Sequence, residues 1–242
     1  MKTLRAAAKY MLISSNWTAA HPSQFQPIGW LGDFNKWRTE RDSSSTPLDR
    51  GEPWFCYSAI RHLKTVVTPK TRVFEYGSGG STLFYANHCA KVVTVEHDAQ
   101  WAELVQQTLD KKQITNVTLL PITEQEPQTP EDADPMKGFG STYQHYAGKS
   151  FKQYVNTLLD YPKHEFDLIV IDGRARNACM RVAIDRMAPG GMIIVDNSER
   201  PQYQEMQNRL FADKWKLVRR SGPVCGLKVF NATHFWSHPD AK

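Results

Sequence analysis

No apolar run in the 242 residues is long enough to cross a bilayer. The opening stretch Met1-Lys-Thr-Leu-Arg-Ala-Ala-Ala-Lys-Tyr-Met-Leu-Ile is interrupted by Lys9 and is too broken for a secretion signal, so a small amphipathic helix is expected there. Cysteine is scarce: residues 56, 89, 179 and 225 are far apart and form no Cys-x-x-Cys pair. Cys89 and Cys179 fall on the apolar faces of predicted helices, as buried free thiols do, which favours a reducing compartment and a cytoplasmic protein. Blocks of like charge are also missing. The net charge of +5 comes from scattered Lys and Arg, an argument against a nucleic-acid surface. No internal repeat is present.

What is there is an alternation of strands and helices. Residues 1–50 read as an appendage holding Trp17, Trp30 and Trp37 and ending in the Ser43–Thr46 linker. These aromatics either pack on the main domain, residues 51–242, or cover its site. A helix follows through Ala59, Ile60, Leu63, Val66 and Val67, stopped by Pro69. Strands are expected at Val73–Tyr76, Val92–Glu96, Val117–Ile122, Phe166–Asp172 and Met192–Asn197, with helices between them. Asp98 is a plausible cap for the helix whose inner face is Trp101, Leu104, Val105 and Leu109. A polar, proline-rich insertion at 123–149 is too long for a simple connector. Trp215–Arg220 and Leu227–Phe235 flank Gly222-Pro223 as a terminal hairpin. The pattern predicts an α/β fold: a doubly wound, mostly parallel seven-stranded sheet with a terminal antiparallel strand and helices on both faces.

Four predicted strands end on acids, Glu75, Glu96, Asp172 and Asp196. In open parallel sheets ligands bind beyond these ends, so the carboxylates should share one rim. Each could also merely cap a following helix or loop. Between Glu75 and the next helix lies Tyr76-Gly-Ser-Gly-Gly-Ser-Thr82, a turn that lets a ligand approach backbone N–H groups at a helix start. A dinucleotide turn would need glycine where Thr82 stands, and the Gly-Lys-Ser/Thr of a phosphate loop is absent. S-adenosylmethionine has no phosphate. Its cationic end suits Glu75, and its ribose diol suits Glu96.

With these pieces the chain resembles a class I S-adenosylmethionine-dependent methyltransferase. The matching motifs are Val73–Thr82, Val95–Asp98 with Trp101, Asp167–Arg174 and Pro189–Asn197, in the family's order and within roughly residues 55–235. The resemblance implies that Glu75, Tyr76, Gly77, Ser78, Gly79, Ser81 and Thr82 hold the methionine end, and that Glu96 holds the ribose. It implies further that His97, and the region of Thr123–Glu124, border the adenine. Asp172 is expected to serve cofactor and acceptor together.

Asp172, Asp196 and Asn197 form an oxygen trio suited to Mg²⁺ and similar to the metal ligands of catechol-type O-methyltransferases. Arg174 and Arg176 follow closely, and could replace the metal or bind an anionic acceptor. In the insertion Tyr143, His145, Tyr146 and Lys149 could meet the acceptor, with His145 a possible base. Arg200 and Tyr203 could face the rim. The reading is a methyltransferase acting at oxygen on a small or medium-sized acceptor. An NAD-dependent oxidoreductase and a non-catalytic cofactor-binding scaffold are its rivals.

Overall fold

The computed structural model describes residues 2–41 and 44–239. Five parallel strands, β1 (Arg72–Tyr76), β2 (Lys91–Glu96), β3 (Val117–Pro121), β4 (Leu168–Ile171) and β5 (Met192–Asp196), are completed by β6 (Lys216–Pro223) and β7 (Phe230–Ser237). The order across the sheet is β3-β2-β1-β4-β5-β7-β6, with β7 antiparallel to both neighbours. The chain winds outward from β1 to β3 and then returns to β4. The crevice at that reversal lies beyond the C-terminal ends of β1 and β4.

Successive strand side chains point to opposite faces, and that period of two builds two cores. On β1, Phe74 and Tyr76 join the layer containing Phe151, Tyr154, Cys179 and Leu210. These come from α7 (Lys152–Asn156), α8 (Arg176–Arg186) and α9 (Gln204–Ala212), with Phe151 just ahead of α7. Val73 faces the other layer, with Ile60 and Leu63 of α4 (Tyr57–Val66) and Phe84 and Tyr85 of α5 (Gly80–His88). Strand β4 is apolar throughout because both of its faces are covered. The four cysteines are buried and free. Among the described residues, no helix is long and apolar enough to cross a membrane.

The N-terminal segment forms α1 (Lys2–Ala20) and α2 (Pro27–Glu40), followed by the short α3 (Pro47–Arg50), and the aromatics of the first two helices pack on the sheet rather than over the crevice. Trp37 is fully buried, and the rings of Tyr10 and Trp30 lie 5.4 and 5.1 Å from that of Phe230 on β7. The leading helix runs through 19 residues, well past the short apolar run that predicted it. Ser43, the first residue of the expected linker, lies outside the described residues, as does Asp42.

Gly222-Pro223 does not form the expected turn. Both residues belong to β6, paired with Asn231 and Phe230, and the chain reverses after them. Gly222 adopts φ of +143°, and a Cβ there would sit 2.9 Å from Trp30 Cδ1. The glycine is required by the indole laid against the strand, whose Nε1 donates to Ser221 O at 2.9 Å.

Because Trp37 is enclosed between the N-terminal helices and the sheet, truncating it should open a large cavity. Trp37→Ala is expected to destabilise the whole protein by about 3–5 kcal/mol in denaturant titrations. A loss of N-terminal helix alone, with the sheet's unfolding midpoint unchanged, would contradict this.

Candidate active site

The crevice is framed first by the glycine turn. Gly77 takes φ of +98°, and a Cβ on it would come 2.9 Å from Gly173 Cα, so the turns after β1 and β4 touch backbone to backbone. Beneath the turn lies Glu75, with no exposed surface. Thr82 Oγ1 donates to its Oε2 at 2.6 Å and accepts from Gly79 N at 2.9 Å. Thr82 is therefore the tie between strand end and turn, which explains why the third glycine of a dinucleotide motif is replaced. Burial pushes the Glu75 carboxyl up to about 7, against the pull of hydroxyls from Ser81, Thr82 and Thr94.

Glu96, at the end of β2, is 2% exposed and surrounded by donors. Its Oε2 accepts from Ser78 N at 2.8 Å and Ser78 Oγ at 2.9 Å. Its Oε1 accepts from His97 N at 2.8 Å and Asp98 N at 3.0 Å, with His97 Nδ1 at 2.7 Å. Burial opposes ionisation, but the His97 ring and the backbone N–H groups outweigh it and hold the carboxyl below its ordinary value. Asp98 caps α6 (Ala99–Lys111) by accepting from Gln100 N and Trp101 N, both at 3.0 Å. Trp101 Nε1 donates to Ser78 O at 2.9 Å and pins the glycine turn.

The third part joins the ends of β4 and β5. Asp172 keeps 24% of its side-chain surface exposed, and its Oδ1 lies 3.0 Å from Nη2 of the buried Arg176. Arg176 also donates to Gly173 O, Asp172 O and Asp196 O. Asp196 is 3% exposed and accepts from Thr233 Oγ1 at 2.7 Å and Asn231 Nδ2 at 3.2 Å. Burial and the neighbouring Asp172 charge raise Asp196 well above the usual carboxylate range. Burial also raises Asp172, against the pull of Arg176. Asn197 follows in a left-handed conformation, φ +50°, on the wall of the same cavity.

These contacts correct two expectations. The trio of Asp172, Asp196 and Asn197 does not fit Mg²⁺, because a guanidinium already neutralises one carboxylate and protein donors take the other. The neutralising cation is Arg176 rather than Arg174, whose guanidinium instead lies 4.1 Å above the Tyr143 ring and 5.4 Å from that of Tyr146. Asn231 and Thr233 were not singled out from the sequence. Their signal is two polar side chains on one face of an otherwise buried strand.

A cavity of about 720 Å³ connects these parts. Gly77, Ser78, Glu96, His97, Asp172 and Arg174 line it, as do Asp196 and Asn197. Gly79 and Ser81 line an adjoining hollow of about 380 Å³, with Trp54 and Trp101 common to both. Glu75, Tyr76 and Thr82 line neither. Their side chains are fully buried behind the wall, and Tyr76 Oη donates to Val155 O at 2.7 Å. Glu75 therefore shapes the turn from below. Thr123, Glu124, His145 and Lys149 also line neither hollow, and His145 is exposed. Of the insertion, Tyr143 and Tyr146 reach the cavity, and from beyond β5 so does Arg200, whereas Tyr203 is buried behind it.

No family model and no curated protein matches the chain. Solved structures do share its fold. An O-methyltransferase from Bacillus cereus, in complex with SAH, superposes with a TM-score of 0.54 at 14% identity, over 93% of this chain and 99% of that one. An rRNA methylase from Streptococcus thermophilus superposes at 0.50 with 13% identity, over 81% and 98%. The architecture is the α/β fold of class I methyltransferases.

The raised Glu75 carboxyl has a consequence for stability. The protonated group costs nothing below about pH 4.5, where folded and unfolded chains both carry the proton. Stability is then lost as pH rises toward about 7, since only the unfolded chain ionises freely. Glu75→Gln should remove this slope, a change of roughly 3 kcal/mol across the window. Urea titrations at a series of pH values check it, and parallel curves for variant and wild type would refute it.

Proposed function

We propose that the chain is an S-adenosylmethionine-dependent methyltransferase acting at oxygen on a small or medium-sized acceptor. The observation that carries this reading is Glu96, a buried carboxylate held ionised at a strand end, open to a cavity beside a glycine turn. Four hydrogen bonds already reach its two oxygens, and three of them come from backbone N–H groups that cannot leave. The fourth donor, the Ser78 hydroxyl, can rotate away, and the His97 Nδ1, 2.7 Å off, makes no aligned hydrogen bond to the carboxylate. A ribose diol would take the place of that hydroxyl and use the remaining lone pairs without leaving the charge unpaired. Thr82, standing where a dinucleotide turn needs glycine, disfavours NAD.

The bound cosubstrate supplies a methyl group already activated on a sulfonium. The protein must position an acceptor oxygen and take its proton. Asp172 is the group for this work: it reaches the cavity, and its raised pKa makes it a better base than an ordinary carboxylate. Arg176 holds Asp172 in place from behind. Asp196 and Asn197 border the same end, where their polar atoms suit a hydroxylated acceptor.

Glu96→Ala should weaken S-adenosylhomocysteine binding at least about tenfold while the fold persists, since hydrogen bonds to a charged group contribute about 1.5–3 kcal/mol. Calorimetry with S-adenosylhomocysteine and NAD side by side checks it. Tighter binding of NAD would replace the reading with an oxidoreductase.

Asp172→Asn should leave that affinity within a few-fold and lower turnover by about a hundredfold or more. Chelators should leave wild-type turnover unchanged. Restoration of chelated enzyme by Mg²⁺ would overturn the metal-free account.

A further inference from the structure

The charges on the cavity wall do not balance locally. Asp172 is paired with Arg176, Asp196 accepts from Asn231 and Thr233, and the Glu199 carboxylate accepts from Ala232 N at 2.9 Å. Arg174 and Arg200 also line the cavity. Among the described residues neither has a carboxylate within ion-pairing distance, and the buried Nε of Arg174 has no hydrogen-bond partner.

Their common partner is a phenol. The Arg174 guanidinium lies 4.1 Å from the Tyr143 ring centre, and Arg200 Nη1 is 3.3 Å from Tyr143 Oη. Although burial acts against it, the three surrounding guanidinium groups, Arg200 first, hold the Tyr143 hydroxyl below its ordinary pKa. An environment that favours a phenolate favours other oxyanions for the same reason. A guanidinium presents its N–H groups in a plane, which suits the two oxygens of a carboxylate or phosphate.

The position also selects. Glu96 lies at the end of β2, whereas Arg174 and Arg200 follow β4 and β5, beside Asp172. Tyr143 comes from the insertion, which α8 fastens down: Asn177 Nδ2 donates to Pro135 O at 3.1 Å, and Arg181 donates to Met136 O and Gly138 O. These contacts anchor the insertion at 135–138, and the phenol itself is met by the two arginines.

We propose that Arg174, Arg200 and Tyr143 form an oxyanion subsite, so that the acceptor carries a carboxylate or phosphate besides the hydroxyl to be methylated. This rests on the methyltransferase reading for the word acceptor. The subsite itself can be tested without turnover.

The test is a titration of benzoate, phenyl phosphate and neutral benzamide into protein saturated with S-adenosylhomocysteine, followed by ligand-observed NMR. At least one anion should bind about tenfold or more tightly than benzamide, the margin a charge-assisted contact supplies. Which anion wins distinguishes a carboxylate from a phosphate acceptor. Arg174→Gln and Arg200→Gln should each reduce the preference, with affinity for S-adenosylhomocysteine unchanged. Equal binding of anions and benzamide, no binding of either anion, or a preference that survives both substitutions would overturn the subsite. The wild-type comparison decides alone if a variant fails to fold. Failure of S-adenosylhomocysteine to bind would instead remove the methyltransferase reading, and leave anion binding to be scored on the free protein.

Discussion

A guanidinium with almost no access to water sits between the ends of two central strands. Arg176 is 4% exposed, and an ion of this kind costs several kcal/mol to bury unless its donors are met. They are met by the carbonyls of Asp172, Gly173 and Asp196 and by the Asp172 carboxylate. Those acceptors belong to the turns after β4 and β5, so satisfying one cation sets the spacing of both turns. Two left-handed residues lie next to these turns. Ala175 adopts φ of +47° and Asn197 φ of +50°, conformations uncommon for residues with a Cβ. Removing Arg176 would leave a cluster of carbonyls and two carboxyl groups facing one another without a counter-charge.

The opposite side of the crevice uses the reverse arrangement. There the buried charge is the Glu96 carboxylate, stabilised by backbone N–H groups and by His97. The cavity therefore runs from the Glu96 carboxylate at β2 to a wall beyond β4 and β5 where, among the described residues, Arg174 and Arg200 stand without a carboxylate partner. Between them Gly77 and Gly173 press their backbones together and leave the floor free of side chains. A ligand with a polar diol at one end and a reacting centre near Asp172 suits that polarity. Glu75 contributes from below, as a hydrogen-bonding strut between β1 and the turn.

Helix α8 connects these features. Its first residue is the buried arginine, its next two turns hold the insertion through Asn177 and Arg181, and its inner face packs on the sheet through Cys179, Met180 and Ala183. A shift of this helix would move the strand-end charges and Tyr143 together. The insertion is therefore part of the cavity wall, although, among the described residues, it has no strand of its own and joins the chain that follows it through the bridge of Gln125 to Ser150 and the bond from Phe151 N to Phe139 O.

Much of this was legible along the chain, because it is encoded by neighbours in sequence. Alternating apolar residues, β-rich runs ending on acids and a glycine turn of defined length are local features, and the strands at 73–76, 92–96 and 192–196 follow from them within a residue or so. The same locality placed Asp98 at its cap and Glu96 at the rim. What remained hidden depended on groups brought together from far apart. Two arginines separated by a single residue, 174 and 176, look equivalent in sequence. Only the left-handed turn at Ala175 sends one into the interior and leaves the other against Tyr143. Glu75 read as a ligand group because strand ends usually face the crevice, but the pleat turns it toward Thr82 and away from the cavity. Gly222 read as a turn because nothing local announces Trp30, nearly two hundred residues earlier, lying against it. Local backbone preference determined the elements and their order. Desolvation of charge, which depends on everything that surrounds a side chain in three dimensions, decided which of the polar residues became walls and which became supports.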